Sequence, residues 1–137
     1  NAQTVTGNMS LSLNTDSDIC SNLDLTFFIG PEGDSLEWSI GVLAAKGVTI
    51  RNIKIIVEDG GTRVLEDFKV SPADADGTMN RFFINSEIVH DMAFSYPDYI
   101  IKVGYMKDDE MKSITIKKDA IHMGLGLMWN FYGPATK

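Results

Sequence analysis

Cysteine is almost missing from this chain: Cys20 is the only one in 137 residues. A lone thiol closes no internal disulfide, which excludes the small stapled scaffolds of secreted proteins, and inside a core it behaves as a small hydrophobe. Histidine is nearly as scarce. His90 and His122 are the only two, and they form no H-x-x-x-H pair. A tetrahedral zinc site would have to recruit unrelated carboxylates, so no metal is expected. Proline-rich linkers, low-complexity tracts and internal repeats are all absent, so no domain boundary is visible and residues 1–137 read as one domain. No apolar run approaches the ~18 residues a membrane-crossing helix needs.

An excess of positive charge is also lacking. The net charge is −7, which repels phosphate and argues against nucleic acid as a partner. The negative charge is concentrated early: Asp16, Asp18, Asp24, Glu32, Asp34 and Glu37 all precede Lys46, the first base. From there on, 13 acids nearly balance 12 bases. These six acids are the first candidate binding residues, and the partner they suit is a protein with a basic surface. The other reading is a solvated face that aids solubility.

Motifs that would carry catalysis are missing too. There is no G-x-S-x-G elbow and no glycine-rich phosphate cradle, so no cofactor is expected. A hydrolase using His90 or His122 is a minor alternative, and Asp91 beside His90 would project elsewhere on a helix. Asp74-Ala75-Asp76-Gly77 resembles the middle of a calcium loop, but the matching register puts Pro72 and Phe83 where carboxylates are required. Asn14–Asp18 fails the same test at Ile19.

What is present is β pattern. In Arg51–Val70, Ile53, Ile55 and Val57 alternate with Asn52, Lys54 and Glu58. Asp59-Gly60-Gly61 then supplies a turn, and Val64, Phe68 and Val70 return on one face, with Leu65 and Glu66 breaking the alternation. A hairpin with one apolar face must cover it. Further strands are expected over Thr4–Asn14, Leu23–Ile29, Leu36–Ala45, Arg81–Ile84, Tyr99–Tyr105 and Met111–Lys117, with Gly30–Asp34 as a loop. Leu36–Ala45 also fits a helix capped by Asp34, with Leu36, Ile40, Leu43 and Ala44 as its stripe and Gly47 ending it. The alternation of Leu125, Leu127, Trp129 and Phe131 reads as a last strand in Ile121–Tyr132. Ile88, Val89, Met92 and Ala93 instead follow helical spacing behind Asn85 or Ser86, giving one short helix near 86–93.

The expected fold is therefore mainly β: an antiparallel β-sandwich of about eight strands, with a small closed β-barrel as the alternative. Asn1-Ala2 reads as a tag remnant and Gln3 as the first residue after a leader, which points to a periplasmic or extracellular protein. Tyr96, in a Ser-Tyr-Pro-Asp turn, is the aromatic best placed for exposure and joins the candidate binding residues. The functional expectation is an exported, non-enzymatic domain that binds another macromolecule, with an edge strand available for homo-oligomerisation. The alternative is a barrel enclosing an apolar ligand or a glycan.

Overall fold

The computed structural model describes residues 9–13, 23–45, 47–58, 60–70 and 79–132. The strands are β1 (Met9–Leu13), β2 (Leu23–Glu32), β3 (Ser35–Ala44), β4 (Val48–Glu58), β5 (Thr62–Lys69), β6 (Met79–Ile84), β7 (Tyr99–Lys107) and β8 (Glu110–Lys117). Helix α1 (Ser86–Phe94) links β6 to β7, and a 3-10 turn (Lys118–Ala120) leads from β8 into helix α2 (His122–Tyr132). The strands form two antiparallel sheets in the orders β1-β2-β3-β6 and β5-β4-β7-β8.

The inner faces of the sheets follow from alternation. Leu23, Leu25, Phe27 and Ile29 of β2 and Leu36, Trp38, Ile40, Val42 and Ala44 of β3 are buried. They share one core with Ile53, Ile55 and Val57 of β4 and Tyr99, Ile101, Val103 and Tyr105 of β7. The alternation on β4 slips once. Val48 and Ile50 are buried, then Ile53, and the pairing of β4 with β7 shifts register between Ile50 and Asn52. The extra residue is Arg51, and this bulge restores the inward phase. A second shift lies opposite Leu65: Ile55 faces Glu66, but Ile56 faces Val64. The break in alternation at Leu65 and Glu66 is thus a bulge in the hairpin. It leaves Val64, expected on the covered face, exposed.

Three expectations are corrected. Gly30–Asp34 is not a loop: β2 and β3 stay paired out to Glu32 and Ser35, and only Gly33 and Asp34 turn. The closed-barrel alternative fails because β1, β6, β5 and β8 remain sheet edges. Phe68 on β5 stacks against Phe82 on β6 at 5.1 Å, so side chains rather than a hydrogen-bonded ladder close that side.

The third correction is Ile121–Tyr132, which forms a helix rather than a strand. Leu125, Gly126 and Met128 are its buried residues, Ile121 is buried just before it and four residues ahead of Leu125, and Trp129 and Tyr132 pack partly against the core. Gly124 and Gly126 disfavour a helix by ~1 kcal/mol each relative to alanine, which hides it from propensity. Packing decides the outcome. Trp129 stacks on Trp38 with ring centres 6.0 Å apart, and Phe94 of α1 lies over Gly126, 3.5 Å from where a Cβ would stand.

The two helices pack on each other and cap one end of the sandwich, as their bonds to strands and turns show. Asn85 caps α1, its side chain accepting from the Glu87 amide at 2.7 Å. The Met92 carbonyl, in the last turn where no intrahelical partner exists, accepts from the Tyr99 hydroxyl at 2.5 Å. Lys118 donates through Nζ to the carbonyls of Tyr96 and Pro97, at 2.8 and 3.1 Å.

Candidate functional site

The helical cap carries the main apolar surface. Met123, Leu127 and Phe131 recur every four residues on the side of α2 turned away from the core, exposed by 71%, 61% and 71%. Phe94 of α1, exposed by 53%, reaches α2 at Gly126. Beneath this stripe the cap is braced by rings. His90 sits 5.2 Å from Phe94 and 5.1 Å from Trp129, and Trp129 in turn stacks on buried Trp38.

His90 corrects one expectation. Its Nδ1 lies 3.1 Å from Oδ1 of Asp91, so the neighbouring carboxylate does reach the ring, both side chains bending along the half-exposed surface of α1. The contacts found around the ring are this carboxylate and two aromatic rings. His122 opens α2 at its first position. Among the described residues no group of three His, Cys, Asp or Glu side chains could hold a metal ion.

The described acids of the first third do not gather into one patch. Asp16 and Asp18, like Cys20 and both calcium-like segments, lie outside the described residues. Glu32 and Asp34 are exposed at the tip of the β2–β3 hairpin, and Glu37 is half-buried opposite Gly30. Asp24 is exposed at the other end of β2, roughly 26 Å away at ~3.3 Å per residue. Tyr96 is half-buried rather than free, edge-on to Tyr99 at 6.3 Å.

The outer face of the second sheet carries the opposite charge. Lys54 and Lys102 stand directly opposite each other on β4 and β7. One step along, Asn52, Gly104 and Ser113 align across β4, β7 and β8. Asn52 donates through Nδ2 to Oδ1 of Asp67 at 3.0 Å, and Lys69 stands 3.4 Å from the same carboxylate. The Asn52 bond, aided by Lys69 and Lys54 and opposed by slight burial, holds the Asp67 carboxyl below the ordinary aspartate range. A carboxyl lowered in the folded state adds stability above its unfolded pKa and loses it as pH falls through the folded value. Asn52→Ala is therefore expected to move the Asp67 titration up toward the ordinary range in an NMR pH titration and to shrink the acid-side loss of stability. An unshifted titration would contradict the assignment.

Sequence reasoning missed both surfaces. Met123, Leu127 and Phe131 were hidden by reading α2 as a strand, although their spacing of four is legible once a helix is considered. The Lys54–Lys102 pair exists only in the register between β4 and β7, which the sequence does not print. The fold and site define an antiparallel β-sandwich with a two-helix cap, apolar at the cap and cationic on one sheet. No protein family, curated protein or solved structure matches the chain.

Proposed function

We propose that this domain is a non-enzymatic binding module that recognises another protein through the apolar face of its helical cap. The observation that carries this reading is the exposure of Met123, Leu127, Phe131 and Phe94 on one braced surface. Their exposed area is on the order of 500 Å², toward the upper end for a monomer's largest apolar patch. A specific interface buries about 800 Å² per partner, so the patch would form its apolar centre.

Charge favours a protein over a lipid surface. Helices that lie on membranes carry Lys and Arg beside the apolar face. Neither α1 nor α2 contains one, and α1 bears Glu87 and Asp91. The matching partner has an apolar centre and a basic rim. The double substitution Leu127→Asp/Phe131→Asp removes the stripe without touching the core. Its expected result is loss of at least about 100-fold in affinity for a partner co-purified with the wild type, as apolar anchors at an interface centre imply, with an unchanged Tm. Retention of the same partner by the variant would overturn the reading.

A further inference from the structure

The outer face of the second sheet has an open depression of about 300 Å³ lined by Asn52, Lys54, Lys102, Gly104, Met111, Lys112 and Ser113. Two features of this surface run against stability. Lysines 54 and 102 are paired directly across two strands, where like charges repel. Gly104 occupies a strand interior, where glycine weakens the sheet. A Cβ at 104 would come within 2.5 Å of the Asn52 Oδ1, so the missing side chain is what keeps the depression open and lets Asn52 lie across it. Asp67, directly opposite Lys54 across β5 and β4, is also engaged by Asn52 and Lys69. Lys102 and Lys112 form no ion pair among the described residues.

We propose that this depression binds a tetrahedral oxyanion, a phosphate or sulfate group. Lys54, Lys102 and Ser113 share the outer face around one small volume, which Lys112 of the edge strand also lines, in a chain whose net charge is −7, so the local charge opposes that of the whole molecule. Each ammonium supplies three donors and a full charge, which suits a group carrying up to two charges and several acceptor oxygens better than a single carboxylate. Binding relieves the repulsion between Lys54 and Lys102, and repulsion relieved by a ligand is a common mark of a site maintained at some cost to the free fold. The site is separate from the helical cap and stands independently of the partner proposed there.

The test is an NMR titration with sodium phosphate at constant ionic strength, balanced with sodium chloride. Saturable shifts at the Gly104 and Ser113 amides are expected in the wild type. In Lys54→Gln/Lys102→Gln the affinity is expected to fall tenfold or more, while the Tm without phosphate rises slightly as the repulsion is removed. Phosphate should raise the Tm of the wild type more than that of the variant, which separates site binding from the general stabilising effect of the salt. Shifts reproduced by chloride alone, or equal phosphate affinity in the variant, would overturn the proposal. Competition by phosphatidylglycerol vesicles would make the source a lipid headgroup, and competition by a sulfated oligosaccharide a glycan. If neither competes, the free ion is the ligand.

Discussion

Replacing Trp38 with alanine is expected to destabilise the domain by about 3–5 kcal/mol, the range for truncating a large buried aromatic. Trp38 is 1% exposed, lies in β3 between the sheets and the cap, and supports Trp129 by stacking. Its loss opens a cavity and takes the floor from beneath α2. Trp38→Phe should cost much less. The indole Nε1 is buried without an acceptor, so phenylalanine keeps a ring while removing an unpaired donor that itself costs ~1–3 kcal/mol. In thermal unfolding the alanine variant should melt roughly 10–20 °C lower. A loss under about 1 kcal/mol for Trp38→Ala would mean that the cap does not depend on this stack.

The second large effect is expected at Tyr99. Tyr99→Phe keeps the buried ring but strips the Met92 carbonyl of its hydroxyl donor at the end of α1. Leaving that carbonyl unpaired should cost about 1–3 kcal/mol. The wild type also gains a pH signature. Burial, and then the charge of Asp98, push the Tyr99 phenol above its ordinary value. A group raised in the folded state contributes stability below its unfolded pKa and loses it as pH rises through the folded one. The stability of the wild type should therefore decline above about pH 10, where an ordinary tyrosine begins to ionise, and Tyr99→Phe should lack that component. Urea unfolding at pH 8, 10 and 11 measures both. Parallel pH dependence in the two proteins would contradict the buried-phenol account.

Tyr99 falls where the sequence is readable, while Trp38 lies in a segment, Leu36–Ala45, that also fits a helix. Ile53, Ile55 and Val57 on β4 and Tyr99, Ile101, Val103 and Tyr105 on β7 alternate so cleanly that their burial follows from the two-residue period. Asn85 followed by Ile88, Val89 and Met92 announced α1. The β7–β8 turn was legible in Lys107–Glu110, where Asp108 and Asp109 both take positive φ, as a two-residue hairpin turn demands. Bulges were harder. Leu65 could be seen to break a pattern, but only pairing shows that it is an inserted residue.

The cap was where local signals misled. Alternation at Leu125, Leu127, Trp129 and Phe131 satisfied a strand, while Ile121, Leu125 and Met128 satisfied a helix, and two glycines weighed against both. Long-range packing on Trp38 settled it, and no window of the sequence contains that information. The same holds for the lysine depression, built from three strands whose order is a property of the sheet. The described early acids show the converse: close in sequence, Asp24 lies at one end of β2 and Glu32 and Asp34 at the hairpin tip beyond the other.

The central claim, a protein partner on the helical cap, is most directly tested by a photo-crosslinking residue placed at Leu127 and, as control, at Val64, an exposed apolar position on the edge strand β5. Irradiation in cells of the source organism should give a discrete adduct with a second protein from position 127 and none from position 64. No adduct at 127, one with the mass of two copies of this chain, or equal labelling from both positions would contradict it.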